Sequence, residues 1–117
     1  MSTSAALVVK NLEEPDERRT TEHGVLEVAS LPGATIVRAV FQPGWKWSSD
    51  LAPLAGSDSC QVAHTGYVLS GRFHVQMDDG RQYDLGPGDA HVVGPGHDAW
   101  VVGDEECVVI DFSHTES

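Results

Sequence analysis

The stretch YVLSGRFHVQMDDGRQYDLGPGDAHVVGPGHDAWVVGDEE, residues 67–106, decides the fold. Its short apolar or alternating runs are separated by turns such as Asp78–Asp79–Gly80, Gly86–Pro87–Gly88–Asp89 and Gly94–Pro95–Gly96. Runs of this length with turn residues at both ends are typical of strands joined by tight turns. The stretch therefore predicts strands at 72–77, 82–85, 90–93 and 99–102.

The same pattern extends in both directions along the chain. Apolar runs rich in β-branched residues precede the stretch at 25–29, 34–42 and 61–69, and another follows at 107–112. No window of twelve residues shows a helical period, and so many short strands indicate a sandwich or a barrel. We expect an all-β fold, with residues 25–117 forming a single barrel domain.

Two segments do not show this pattern of short apolar runs separated by turns. The first 24 residues are highly charged and predict an exposed N-terminal arm, of the kind that lies along a partner subunit. Residues 45–60 form a long loop that contains Trp45 and Trp47. Long loops in compact domains commonly carry function, so we expect this loop to contribute to a binding site.

Size and charge limit the possible partners. The 117 residues include 7 basic and 18 acidic side chains, a formal net charge of -11. This balance argues against binding to nucleic acids or to anionic membranes, which need a basic face. No apolar run approaches the roughly 18 residues of a membrane helix, and the two cysteines form no disulfide framework. We expect one small cytoplasmic domain whose limited core favours a homodimer.

The turn framework resembles that of the cupin superfamily, small β-barrels with two sequence motifs. Gly88 begins the second motif and Gly96 keeps its later glycine, but Ala99 stands where the family has a metal-binding histidine. The segment 95–106 resembles that of small single-domain bacterial cupins of the actinobacterial type, a group with no assigned reaction. The resemblance covers about residues 34–112 and implies a double-stranded β-helix, the jelly-roll barrel of cupins.

The first cupin motif is also altered. In the family, three histidines and one glutamate hold a divalent metal inside the barrel. Counting back from Gly71 places the glutamate position on His64 and the two histidine positions on Asp58 and Cys60. Counting forward from the glycine at position 44 places the first of them on Asp50 instead. The two counts differ by eight residues, so the loop between them carries an insertion.

These positions define a candidate metal site. His64 is a candidate metal ligand and general base, and His97 lies two positions before the altered histidine position, on the same face of an extended strand. Asp50, Asp58 and Cys60 are alternatives for the third ligand. Two histidines with a carboxylate suit non-haem iron or zinc, whereas two histidines with a cysteine suit zinc or copper.

Four further residues are candidates for contact with a substrate. Trp45 and Trp47 lie one residue apart and would present two indole rings on one face of an extended segment. Trp100 lies close to His97. Arg38 interrupts an apolar strand, where it either points outward or binds an anionic substrate inside the barrel.

Together these features predict a cupin that binds a small organic molecule with a divalent transition metal, one of Zn, Fe, Cu, Ni or Mn. As an enzyme it would be a metal-dependent oxygenase, lyase or isomerase. The loss of the standard ligands leaves a metal-free binding or sensing module as the alternative. A metal-free isomerase with His64 as its base is a third reading.

Overall fold

The computed structural model describes residues 7–113. The part of the chain described is built almost entirely of strands, with two helices of four residues each, α1 Trp47–Asp50 and α2 Ala52–Ala55. Within it, no helix has the length and apolar character needed to cross a membrane. The strands are β1 Glu17–Thr21, β2 Gly24–Leu31, β3 Ala34–Phe41, β4 His64–Ser70, β5 Phe73–Met77, β6 Gln82–Leu85, β7 Ala90–Val93, β8 His97–Val101 and β9 Cys107–Ser113.

The strands form two antiparallel sheets that face each other. The larger sheet has the order β1-β2-β3-β9-β4-β7, and the smaller has the order β6-β5-β8. Alternate residues of each strand point into the space between the sheets, where Val68, Val75 and Cys107 are fully buried. The predicted all-β class is confirmed. Most strands end at the predicted turns, but β8 begins at His97 instead of residue 99 and β4 begins at His64 instead of residue 61.

The charged segment before residue 25 contains a strand that the sequence did not predict. Glu17–Thr21 form β1 and pair with β2 from Glu17↔Val28 to Thr21↔Gly24. Its charged side chains are exposed because β1 is the edge strand of the larger sheet, and Arg18 reaches across to Glu27 at 2.9 Å. The expected arm, residues 1–24, is therefore part of the sheet from residue 17, and its first six residues lie outside the described chain.

The long loop is attached to β8 at both of its ends. Near its start, the Val101 N–H donates to the Trp45 carbonyl at 3.1 Å, and Trp45 and Trp47 are buried in the core. At its end, the Cys60 N–H donates to the His97 carbonyl at 2.7 Å. The loop thereby returns the chain to the start of β8 and places Cys60 directly opposite His97.

Candidate metal centre

Three potential metal ligands converge at one end of the space between the sheets. The ligand atoms offered by Cys60, His64 and His97 all lie within 4.8 Å of one another. The Cys60 Sγ atom is 3.5 Å from Nε2 of His64, and the two imidazole rings meet edge to face with centroids 5.3 Å apart. Cys60 and His97 are each 4% exposed, whereas the His64 side chain is 32% exposed, so the cluster is buried on two sides and reaches solvent through His64.

Local backbone structure explains this convergence. His64 begins β4 on the same side of the strand as Gly66 and Val68, whose positions are buried. His97 begins β8 immediately after Gly96, whose positive φ of 88° makes a turn that other residues rarely adopt. The Gly96 N–H also donates to the Cys60 carbonyl at 2.7 Å, so the turn and the cysteine are held together.

A hydrogen bond from Nδ1 orients the imidazole ring of each histidine. The Nδ1 atom of His64 donates to Oδ2 of Asp111 at 2.7 Å, and Nδ1 of His97 donates to the Gly94 carbonyl at 2.7 Å. A carboxylate and a carbonyl oxygen only accept hydrogen bonds, so each Nδ1 carries the proton. Nε2 is then the available ligand atom on each ring, which is the arrangement usual for histidines that bind metals.

The electrostatics of the cluster favour a thiolate. Burial raises the pKa of the Cys60 thiol, but hydrogen bonds with His64 and His97 outweigh it and lower the pKa to about 6. The hydrogen bond to Asp111, helped by the one to Cys60, raises the pKa of His64 to about 9 against the effect of burial. Near neutral pH the cluster therefore holds a thiolate, an imidazolium and a carboxylate.

Of the three alternatives for the third ligand, the structure brings only Cys60 to the two histidines. Asp50 lies in α1, where Oδ1 accepts from Nδ1 of His23 at 2.9 Å and Oδ2 accepts the N–H of Lys46. It groups with His23 and the carboxylate at position 22 instead of the metal centre, because the inserted loop turns into helix at this point. Asp58 is exposed on the loop.

The side chains predicted to contact a substrate lie away from this centre. Trp45 stacks on Phe41 in the core with centroids 3.9 Å apart, and Trp47 is also part of the core. Trp100 lies on the outer face of the smaller sheet, where it packs against an imidazole and a lysine ammonium group. Arg38 alternates with buried Ala39 and so points outward, where it binds Glu27 and another glutamate at 2.8 Å.

A cleft of about 430 Å³ is lined by strand neighbours of two of the candidate ligands, and its lining residues were not predicted from the sequence. Val93 pairs with His64 across β7 and β4, and Met77 pairs with His97 across β5 and β8. The register therefore places two lining residues of the cleft next to the histidines, although the histidines themselves do not line it. Apolar Val75, Met77, Leu85 and Val93 and polar Arg81, Tyr83, Asp84, Asp89 and His91 line it.

His91 is the most distinctive polar group of this cleft. Its Nδ1 atom and Oδ1 of Asp111 are buried and make no hydrogen bond within the described residues. Burial lowers the pKa of His91, so the ring is neutral near pH 7. The ring lies over Gly66, where an added Cβ would be 2.9 Å from Nε2. The sequence signal was weak, because His91 sits in an ordinary short strand.

Comparisons with known proteins agree on the fold. Residues 57–113 match the family model described as Cupin domain. No curated protein sequence matches the chain. The chain is similar to an RmlC-like cupin from Shewanella frigidimarina, with 19% identity, a TM-score of 0.62 and coverage of 99% of this chain and 96% of that one. Ectoine synthase from P. lautus gives 14% identity, a TM-score of 0.68, and coverage of 95% and 80%.

Oxalate decarboxylase of Bacillus subtilis, an enzyme studied for its Mn(II) centres, is also similar, with 17% identity and a TM-score of 0.66. That match covers 87% of this chain but 28% of the decarboxylase chain. At these identities the solved structures show the fold alone, which is the cupin jelly roll expected from the turn framework. The family-model match over residues 57–113 and the fold together support a relationship to the cupin superfamily.

Proposed function

We propose that this chain is a metal-binding cupin of the small bacterial type, which holds a divalent transition metal at Cys60, His64 and His97 and a small organic molecule in the adjoining cleft. The observation that carries the proposal is the convergence of one sulfur and two imidazoles within 4.8 Å, with both Nδ1 atoms already engaged. One thiolate and two imidazoles suit zinc best, with copper second.

The ligands of the site and the groups that orient them would have different roles. A metal held by Cys60, His64 and His97 would keep an open position and would supply a Lewis acid near the cleft. Asp111 holds His64 in the orientation that points Nε2 at the site, and the Gly94 carbonyl does the same for His97. The thiolate of Cys60 requires a reducing environment, which supports the expected cytoplasmic location.

The adjoining cleft supports a small, largely apolar ligand with one polar group. Its floor is formed by aliphatic side chains and Met77, whereas Tyr83 and Arg81 stand at its rim. His91 contributes a neutral imidazole to its wall, the kind of group that exchanges a proton with a bound molecule. This residue set favours an isomerase reaction, in which a proton is removed from one atom and returned to another, or a lyase reaction, in which removal of the proton is balanced by departure of a leaving group.

A metal-free binding or sensing module is the second candidate, and one observation favours it. The imidazolium of His64 makes hydrogen bonds with both the Cys60 thiolate and the Asp111 carboxylate, so the cluster is held together without any metal. In that case the cluster would be a structural ion-pair network beside the cleft, and the ligand would be organic.

Metal analysis of protein purified without chelators tests the proposal. We expect one zinc or copper ion per chain, and binding of cobalt with the intense absorption of a thiolate ligand. Cys60→Ala should remove both. Cys107→Ala is the matched control, because Cys107 is equally buried but burial raises its pKa to about 11 and it lies outside the cluster. Failure of zinc, iron, copper, nickel and manganese to bind the wild-type protein would overturn the proposal.

Thermal unfolding separates the two candidates. Under the metal-binding proposal, zinc alone raises Tm in the wild type and in Cys107→Ala but not in Cys60→Ala. Under the alternative, small organic molecules raise Tm and metals do not.

A further inference from the structure

One side of the candidate metal centre has the arrangement of a nucleophile, a base and a group that orients the base. The Cys60 Sγ atom lies 3.5 Å from Nε2 of His64, and Nδ1 of His64 lies 2.7 Å from Oδ2 of Asp111. A nucleophile within hydrogen-bond reach of a base, with the base held by a third group, is the general form of a catalytic triad. We call these three residues, Cys60, His64 and Asp111, the triad.

Each member of the triad is held in place by other contacts. The backbone of Cys60 is fixed on both sides, because its N–H donates to the His97 carbonyl and its carbonyl accepts the Gly96 N–H, both at 2.7 Å. The carboxylate of Asp111 only accepts hydrogen bonds, so it keeps a proton on Nδ1 of His64 and leaves Nε2 to face the sulfur. The reacting atoms are therefore positioned before any ligand binds, as catalysis requires.

A small ligand can approach the triad from the side of His64. Cys60 is 4% exposed, but the side chain of His64 is 32% exposed, so solvent reaches the set there. Val93, the strand neighbour of His64, and Met77, the neighbour of His97, line the cleft of about 430 Å³. This volume is in the range of small-molecule sites. A short aliphatic chain that packs against these two side chains would bring its carbonyl group toward the triad.

We propose that the metal-free chain hydrolyses small aliphatic esters, with Cys60 as the nucleophile, His64 as general acid and base, and Asp111 as a positioning residue. The sulfur attacks the carbonyl carbon, the C–S bond forms, the ester C–O bond breaks, and Nε2 of His64 gives its proton to the leaving oxygen. Water then gives a proton to Nε2 while its oxygen attacks the thioester carbon. The C–S bond breaks, the carboxylic acid leaves, and the sulfur is released as the thiolate.

This activity goes beyond the proposed metal binding and does not rest on it. A metal at the centre would occupy the sulfur of Cys60 and Nε2 of His64, the two atoms that the reaction uses. Metal binding and ester hydrolysis therefore exclude each other in one chain.

Hydrolysis of 4-nitrophenyl butyrate by protein freed of metal with a chelator tests the proposal. We expect the wild type to release 4-nitrophenolate and, after quenching, to carry one butyryl group on Cys60 in peptide mass spectra. Cys60→Ala should lose both signals. Cys107→Ala is the matched control and should react like the wild type, because Cys107 is fully buried and makes no side-chain hydrogen bond within residues 7–113. His64→Gln should lower the rate constant of acylation by about 100-fold or more.

Two substitutions test whether Asp111 positions the imidazole. Asp111→Asn should slow acylation, because the amide no longer holds the proton on Nδ1 of His64 by charge. Asp111→Glu restores a carboxylate and should recover part of the rate. Recovery of the thermal stability without recovery of the rate would show that the carboxylate is only structural, which would overturn its part in the proposal.

The adduct on the wild-type protein keeps the test decisive even if a variant does not fold. Butyryl groups on other side chains but not on Cys60 would overturn the proposal, as would equal acylation rates in the wild type and in folded His64→Gln. Added zinc distinguishes this proposal from the metal site. Zinc should suppress acylation of Cys60 if both are correct, whereas acylation that zinc does not slow would support the triad and contradict the metal site.

Discussion

The Nδ1 atom of His64 lies 2.7 Å from Oδ2 of Asp111, on the neighbouring strand of the larger sheet. Asp111 is paired with Gly66, so its carboxylate reaches diagonally over a residue without a side chain to meet the imidazole. This contact keeps the His64 proton on Nδ1 and turns Nε2 toward Cys60. The orientation of the His64 ligand atom, and with it the metal affinity expected of the site, therefore depends on a carboxylate that is not itself a ligand.

Asp111→Asn tests this dependence. The amide keeps the shape of the side chain but loses the charge that orients the imidazole and raises the pKa of His64. We expect zinc affinity to fall by about 10- to 100-fold, as for other histidine ligands that lose a carboxylate partner. Competition with a chromophoric zinc chelator measures the change.

Asp84→Asn is the control for that experiment. Asp84 also binds a histidine Nδ1, that of His74, but on the smaller sheet and outside the metal centre. The zinc affinity of the Asp84→Asn protein should equal that of the wild type. Equal affinities in all three proteins would show that Asp111 does not support the site.

Metal binding should release about one proton per chain between pH 7 and 8. In this range Cys60, with a pKa of about 6, is already a thiolate, whereas His64, with a pKa of about 9, still carries two protons. A metal displaces the Nε2 proton of His64 and none from sulfur. Calorimetric titration with zinc in buffers of different ionisation enthalpy gives the number of protons released per zinc ion bound. Release of no proton would show that His64 is neutral or is not a ligand.

In the metal-free protein the contributions of Cys60 and His64 to stability should change in opposite directions with pH and largely offset each other between about pH 6.5 and 9. The pKa of Cys60 is lowered from 9.0, so its contribution is complete above pH 9 and is lost as the pH falls toward 6. The pKa of His64 is raised from 6.5, so its contribution is complete below pH 6.5 and is lost as the pH rises toward 9. Both groups are charged between about pH 6 and 9.

The ultraviolet absorbance of the thiolate measures the ionisation of Cys60 as the pH is changed. In the metal-free wild type we expect a midpoint near pH 6, well separated from Cys107, whose pKa is about 11. His64→Gln should move the midpoint upward, because burial then acts with less opposition. His74→Gln, on the other sheet, should leave it unchanged; a midpoint above 8 in the wild type would contradict the ion pair.

The sequence predicted the part of this protein that local patterns determine. Glycines and prolines at the turns marked most strand ends, and the motif count from Gly71 reached both His64 and Cys60. His97 was predicted because it lies two positions before Ala99, where the cupin motif has a metal-binding histidine. These predictions needed only spacing along the chain, since strand period and turn residues are local properties.

What the sequence could not provide was the pairing of distant segments. Asp111 and His91 flank Gly66 only because β9 and β7 pair with opposite sides of β4. In the same way, the sequence left open whether Arg38 points outward or contacts a substrate inside the barrel, and strand alternation with Ala39 turns it outward to Glu27. Register and facing are set by long-range contacts, and a single sequence does not determine them.

Gly66→Ala tests the packing that brings His91 to the cleft. An added Cβ would lie 2.7 Å from the Ile110 carbonyl oxygen and 2.9 Å from Nε2 of His91, both closer than such atoms normally approach. The imidazole would have to move and the strands to shift, so we expect a loss of about 1–3 kcal/mol in the free energy of unfolding. Gly94→Ala is the matched control, because its added Cβ would meet nothing within 4 Å. Denaturant unfolding of both variants compares them directly, and equal stabilities would mean that His91 does not pack against β4.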